Sequence, residues 1–217
     1  GIFRGTASVV NLGDTGVRDR VLRPDLAQAM GFQRSFQLGG AYPNSPMGTI
    51  ALMKQTFMDA DWYVRAWGAY EASGRAFLPP ETSAALAALE DAVRGDQPIV
   101  FETGSEEEYL RAHKLAAEYG VDAWYRGSGQ EYRILDVLRG RTDPLIIPLS
   151  FPDAPNVNDP ESALNASLAD LRDWYLAPTS PAQLAGAGVR FAITSDGLSS
   201  LNEFLPNLRI AVARGLS

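Results

Sequence analysis

A regular alternation of short apolar strands and helices in residues 96–217 constrains the fold of this chain more than any other feature. Successive strand signals lie roughly 22 residues apart with helix signals between them, a spacing typical of β/α units. Such units join parallel strands through right-handed crossovers. The predicted strands of this region are 98–103, 122–126, 144–149 and the stretch 189–197. The sequence therefore predicts an α/β protein with a parallel sheet.

Helix-start signals support this pattern. Ser105 with Glu108 predicts a capping box that opens a helix through Tyr119, and Ser167 with Asp170 predicts a second box. Further helices are predicted around 131–138, from Ser180-Pro181 and near 203–213, with a long loop over 151–165. Helices therefore separate most of the predicted strands.

The first 95 residues are less regular. A strand is predicted at 6–12, and Pro and Gly then interrupt residues 17–45, where we expect an extended excursion with a short helix near 25–30. Apolar residues at helical spacing predict a long helix from Ser45-Pro46 to about Gly68 and a second one over 82–94. Five strands are predicted in all, whereas a closed (β/α)8 barrel needs eight.

Composition excludes several classes of function. The 217 residues, 46% of them hydrophobic, fit one domain with a sizeable core. A net charge of −7 with scattered basic residues argues against nucleic-acid and anionic-membrane surfaces, and no apolar run approaches the roughly 18 residues of a spanning helix. The absence of cysteine excludes thiolate chemistry and Cys-ligated zinc, and a soluble protein of either the cytoplasm or the periplasm remains compatible.

Asp196 is the first candidate functional residue. It follows the alternating strand that begins at Val189, and ligands of open α/β sheets and barrels bind at the carboxyl ends of strands. The alternative is that Ser195-Asp196-Gly197 is only a turn with an Asx cap that leads into a helix after Ser199. Both interpretations remain open.

Two other features are weaker candidates. Gly127-Ser128-Gly129 lies between a strand and a helix, so its amides could bind an anion, although two glycines also suit an ordinary tight turn. His113, the single histidine, falls within a predicted helix, where we expect a structural or surface role. One histidine rules out a cluster of histidine ligands within these residues.

The strands and several blocks between them resemble the metal-dependent amidohydrolases, specifically the imidazolonepropionase-like group. The resemblance runs from Gly5 to the end of the chain, and its most specific block, 42–63, resembles a subgroup of large bacterial proteins with amidohydrolase-like domains. Supporting blocks are 127–132, 147–152, 176–181 and 193–197. The resemblance implies one incomplete metallo-dependent-hydrolase TIM-like (β/α)8 barrel domain over 1–217 that lacks its first strands, with the excursion at 17–95 and regular β/α units at 96–217.

The resemblance also implies a zinc-type divalent metal, and it can be checked residue by residue. Asp196 matches the aspartate that ends the eighth strand, touches the metal and acts as general base. Glu102 and Arg126 stand where the family has histidines on its fifth and sixth strands, and the first-strand His-x-His pair is not present. Arginine has no lone pair to offer, so Asp196 and Glu102 are the remaining candidate ligands, short of the three that a hydrolytic centre needs. We therefore expect no metal bound to this chain.

The two substitutions suggest a vestigial site. Neighbouring strand ends lie roughly 5 Å apart, so Glu102 and Arg126 are predicted to form an ion pair, with Asp196 beside them, where an active relative would hold its metal. The alternative is that each side chain is solvated separately at the rim of the sheet.

Two functions follow as expectations. The first is an amidohydrolase-like domain related to hydrolases of non-peptide C–N bonds, which is catalytically incompetent as this fragment and takes a small-molecule substrate only if a longer parent protein is active. The second is a non-catalytic structural or binding barrel domain of a larger protein. Because missing strands leave unpaired edges, we also expect self-association or pairing with the rest of the parent.

Overall fold

The computed structural model describes residues 1–14, 16–32 and 42–217. Its strands are β1 (Phe3–Val10), β2 (Val21–Gly31), β3 (Ile99–Glu102), β4 (Ala123–Arg126), β5 (Leu145–Pro148) and β6 (Phe191–Thr194). Its helices are α1 (Val17–Arg20), α2 (Pro46–Ala72), α3 (Ala84–Ala87), α4 (Glu90–Arg94), α5 (Glu106–Tyr119), α6 (Leu135–Leu138), α7 (Pro160–Asn165), α8 (Leu168–Leu176), α9 (Ser180–Gly186) and α10 (Phe204–Ala213). Short 3-10 turns occupy Glu131–Ile134, Ala177–Thr179 and Leu201–Glu203.

The strands form one six-stranded sheet in the order β1-β2-β3-β4-β5-β6. β1 pairs with β2 in the antiparallel sense, whereas β2 with β3, β4 with β5 and β5 with β6 pair in parallel. The predicted α/β class is thus confirmed. The predicted parallel pairing is confirmed for these three strand pairs, whereas the antiparallel pairing of β1 makes the sheet mixed. The chain divides into two compact units, the first formed by 1–102 with 110–124 and the second by 103–109 with 125–217.

The predicted helix near 25–30 is wrong, because these residues belong to β2. Leu26, Ala27 and Ala29 favour a helix locally, but β1 and β3 supply hydrogen-bonding partners on both sides of the segment, and propensity is only a weak prior. Ala27 and Met30 are completely buried. This strand brings the number in the described part of the chain to six, one more than the sequence predicted.

The helix α2 dominates the first unit and starts where the sequence predicts. Ser45 caps it by accepting a hydrogen bond from the Gly48 amide at 3.1 Å, and Pro46 lies in its first turn. The helix runs past Gly68 to Ala72. Its buried side chains, spaced three or four residues apart, are Thr49, Met53, Phe57, Ala60 and Tyr63. The predicted apolar stripe is confirmed at Met53, Phe57 and Ala60, whereas Met47 at the start of the helix is 80% exposed.

Two other helix predictions need correction. The single helix expected over 82–94 is interrupted at Ala88-Leu89 and forms α3 and α4, the first of which is capped by Ser83. The loop expected over 151–165 contains α7, because Asp159 caps its first turn and Pro160 suits that position. Both corrections concern short helices whose signals are purely local.

The second unit carries the end of β4, the strands β5 and β6, and the helices α6 to α10. Both predicted helix starts are present: Ser167 and Asp170 form a reciprocal capping box, and the Glu108 amide donates to Ser105 Oγ at 3.2 Å. The Glu108 carboxylate accepts from the Gly104 amide instead of that of Ser105.

No helix among the described residues is both long and apolar enough to cross a membrane.

Candidate functional site at the ends of β4, β5 and β6

Three polar side chains lie where the parallel strands of the second unit end. Arg126 is the last residue of β4, Ser150 follows β5, and Asp196 follows β6. Because these strands are parallel and adjacent, their carboxyl ends share one edge of the sheet. We call Arg126, Ser150 and Asp196 the strand-end site.

An ion pair connects the first and last strands of this site. Arg126 Nη2 lies 2.7 Å from Asp196 Oδ2, with side-chain exposures of 22% and 60%. The Arg126 Nε is buried and has no hydrogen-bond partner among the residues that the structure describes. The guanidinium is therefore mostly enclosed, whereas the carboxylate faces solvent.

The turn that carries Asp196 packs tightly against the end of β5. Gly197 has φ +84°, and a Cβ built there would lie 2.9 Å from Ser150 Oγ and 3.6 Å from Arg126 Nη2. A glycine is needed here both for the left-handed backbone and for the close approach. Any larger residue would push the turn away from Ser150.

The structure bears on the alternative interpretation of Asp196. The residue does lie in a turn, closed by the Leu198 amide and the Ser195 carbonyl at 3.3 Å. Its carboxylate contacts Arg126, and the following 3-10 turn is capped by Ser200, whose Oγ accepts from the Asn202 amide. A turn position and a strand-end ion pair therefore coexist.

Glu102, at the end of β3, pairs with Arg4 of β1. The pair crosses β2 at Gly31, which is in register with Glu102, and a Cβ at Gly31 would lie 2.9 Å from an Arg4 nitrogen. Arg4 was not among the residues predicted for a site. The sequence signal for this contact was Gly31, because a glycine at the end of a strand leaves room for a side chain to cross it. The pairing of Glu102 with Arg126 stays a prediction.

The glycine loop after β4 holds a carboxylate of its own chain. Glu131 Oε1 accepts hydrogen bonds from the Ser128 amide at 2.6 Å and the Gly129 amide at 3.2 Å. A Cβ at Gly127 would lie 2.1 Å from that oxygen, so only glycine leaves room for it. The amides of Ser128 and Gly129 thus donate to a carboxyl group of the chain itself, and binding of an external anion to this loop stays a prediction.

Glu131 is 4% exposed, and its burial raises the pKa of the carboxyl above the ordinary value, although the loop hydrogen bonds oppose the shift. Its Oε2 is buried and has no partner within the described ranges. No sequence motif singled this residue out. The signal that could have indicated its role is its position two residues after Gly129, within reach of the amides of the glycine loop.

A polar cluster ties the same loop to α8. Asp173 accepts hydrogen bonds from Tyr132, from Arg133 and, at 3.1 Å, from Gln130 Nε2. Arg133 Nη1 also lies 3.0 Å from Glu106 Oε1 of α5. Partial burial raises the pKa of Asp173, but the bonds from Tyr132 and Arg133 outweigh it and lower the pKa below its ordinary value. The cluster fixes the loop that follows Arg126.

The donor set does not fit a hydrolytic metal ion. Within the described ranges, no three His, Cys, Asp or Glu side chains lie together as a ligand group. Asp196 faces a guanidinium, which cannot coordinate a cation and repels it. His113 lies within α5 and not at a strand end. The described residues therefore do not provide the three protein ligands of a hydrolytic metal centre.

Comparisons with known proteins bear on the fold. No protein-family model and no curated protein matches the sequence. A crystal structure of an amidohydrolase from Thermotoga maritima MSB8 superposes with a TM-score of 0.78 at 19% identity over 99% of this chain. The chain spans 53% of that protein, about half its length. At this identity the likeness shows a shared fold, and the six-stranded mixed sheet agrees with part of an amidohydrolase-type barrel.

Proposed function

We propose that this chain is an amidohydrolase-like domain of the imidazolonepropionase-like group, related to hydrolases of non-peptide C–N bonds, with a hydrolytically silent strand-end site. The observation that carries the proposal is the 2.7 Å ion pair between Arg126 and Asp196. The carboxylate that the resemblance assigns as general base contacts a permanent cation. The fold shared with the Thermotoga amidohydrolase supports the domain type.

The chemistry of the pair explains why the site would be silent. A general base must be directed at the proton that it removes, whereas the contact of Oδ2 with Arg126 Nη2 directs the Asp196 carboxylate toward a cation. A divalent cation brought near Asp196 would meet the positive charge of Arg126, which is never lost by deprotonation in proteins. Proton removal by Asp196 and binding of a divalent cation, the two requirements of metal-assisted hydrolysis, are thereby disfavoured.

The second candidate is an active hydrolase in a longer protein. A His-x-His pair supplied from outside these residues, together with Asp196, would give the three protein ligands that a hydrolytic zinc centre requires. The substrate would then be a cyclic amide or a small peptide-like molecule.

Hydrolysis assays separate the two candidates. The chain is incubated with zinc or manganese and with panels of imides, N-acyl amino acids and dipeptides. We expect no turnover above that of the Asp196→Ala variant. Metal-dependent turnover that is abolished in Asp196→Ala but retained in Asp136→Ala, a matched change at a side chain with 96% exposure, would support the active enzyme.

We also propose that the sheet edges mediate association. β1 and β6 stand at the two ends of the strand order, so each has one edge without a strand partner among the described residues. Such edges pair readily with other chains. We expect self-association, or pairing with the rest of a longer protein. Sedimentation that shows a compact monomer at high micromolar concentration would contradict the self-association.

A further inference from the structure

A cavity of about 440 Å³ opens beside the strand-end site within the second unit. Its walls come from the segments after β5 and β6 and from α8 and α10. Ser150, which belongs to the strand-end site, lines the cavity together with Gly197, where a built Cβ would lie 3.6 Å from Arg126 Nη2. Volumes of this size are typical of small-molecule pockets.

Three charged side chains line this cavity without an ion-pair partner in the described part of the chain: Asp153, Glu203 and Arg214. The Arg214 guanidinium lies 5.1 Å from the centre of the Tyr175 ring, a cation–π contact that orients it and leaves its N–H groups available. The walls thus offer one fixed cation and two carboxylates.

An apolar surface accompanies these charges. Phe151 and Trp174 also line the cavity, and Trp174 is 41% exposed. A partly exposed indole beside free charges can cover an apolar ligand group while the charges fix its orientation.

The charge arrangement discriminates between ligand classes. A simple anion would be drawn to Arg214 but repelled by Asp153 and Glu203, and a simple cation would meet the reverse conflict at Arg214. A molecule with both charges satisfies all three groups. Guanidinium binds carboxylates in bidentate geometry, and carboxylates accept from an ammonium group.

We infer that this cavity binds a small zwitterion, an amino acid or dipeptide with a free ammonium group, a free carboxylate and an apolar side chain. The inference rests on the proposed non-catalytic function and names what the domain would bind. The ligand's carboxylate pairs with Arg214, its ammonium with Asp153 and Glu203, and its side chain with Trp174.

Calorimetric titration of the whole chain with Gly-L-Phe, in EDTA, tests the inference. We expect saturable binding with a dissociation constant below about 1 mM. The charge-blocked analogues N-acetyl-Gly-L-Phe and Gly-L-Phe amide should bind at least about tenfold more weakly, because each loses one charge-assisted contact. This comparison uses the wild-type chain alone and needs no variant to fold.

Variants test which side chain binds the carboxylate of the ligand and which binds its ammonium group. Arg214→Gln should weaken Gly-L-Phe binding and remove the preference over the amide, and Glu203→Gln should reduce the preference over the N-acetyl analogue. Arg190→Gln and Glu161→Gln, matched changes at exposed positions outside the cavity walls, should leave binding unchanged. Circular dichroism confirms folding of each variant.

Absence of saturable binding up to about 10 mM, or equal affinity for the free and blocked dipeptides, would overturn the inference. A separate zinc titration reports on the proposed function. If zinc binds at Asp196 and the zwitterion still binds, only the silent site is refuted. If the chain binds no zinc and no zwitterion, only the cavity assignment is refuted.

Discussion

Two carboxylates of the second unit occupy opposite environments on either side of the strand-end site. Glu131, in the loop after β4, is buried and held by backbone amides, and no cation contacts it among the described residues. Asp196, in the turn after β6, is 60% exposed and paired with Arg126. The contrast indicates that Glu131 fixes the loop after β4 from within, whereas Asp196 is exposed to solvent and is held by its ion pair with Arg126.

The largest expected effect is that of filling the space beside Glu131. Gly127→Ala places a Cβ within the carboxylate and forces either the loop or Glu131 out of position, so we expect a loss of about 2–4 kcal/mol in the free energy of unfolding. Denaturant unfolding measures it. Gly186→Ala in α9, where a Cβ meets nothing within 4 Å, is the control and should not destabilise the chain. Equal stability of the two variants would show that Glu131 is not confined.

The second-largest effect on stability is expected from the polar cluster that anchors the loop of Glu131. Asp173→Asn leaves Arg133 with one carboxylate fewer and weakens the bonds from Tyr132 and Gln130. We expect a loss of about 1–2 kcal/mol in unfolding free energy, discounted for partial exposure. Asp136→Asn, at an almost fully exposed side chain, provides the comparison. If both variants unfold alike, the cluster does not stabilise the loop.

The pH dependence of stability distinguishes the two carboxylates. Burial raises the folded-state pKa of Glu131, so the folded chain binds this proton more tightly than the unfolded chain. Stability from this group is complete below the unfolded pKa, near 4.5, and is lost as pH rises through the folded pKa. Glu131→Gln should remove that decline in urea melts across the pH range. If the stability of the variant still declines with rising pH, the decline comes from a group other than Glu131.

Asp196 should contribute least to stability. Because the Arg126 pair is partly exposed, Asp196→Ala should change the unfolding free energy by no more than about 1 kcal/mol, and a double-mutant cycle of Arg126→Gln with Asp196→Asn should give a coupling of about 0.2–1 kcal/mol. A coupling well above that range would make the pair a structural element comparable to Glu131.

These two environments also show what local sequence signals can predict. The strands β3 to β6 and the starts of α2, α5 and α8 follow from periodicity and capping residues, which act over a few positions. Arg126 and Asp196 were named because they end predicted strands, and their role in a functional site remains a proposal.

The features that local signals do not predict depend on distant partners. β2 forms because β1 and β3 flank it, against the helical preference of Leu26 and Ala27. Arg4 reaches Glu102 across the glycine of an intervening strand, a contact between residues 98 positions apart. Glu131 is buried by packing that no short motif encodes. Pairing register and burial are tertiary properties, so composition and spacing do not determine them.

Zinc titration of the wild-type chain by calorimetry tests the central claim most directly. Because Arg126 contacts the carboxylate that would ligate a metal, we predict no binding tighter than about 100 μM at neutral pH, and the same trace for Asp196→Ala. Micromolar zinc binding that disappears in Asp196→Ala would contradict the silent site and restore Asp196 as a metal ligand.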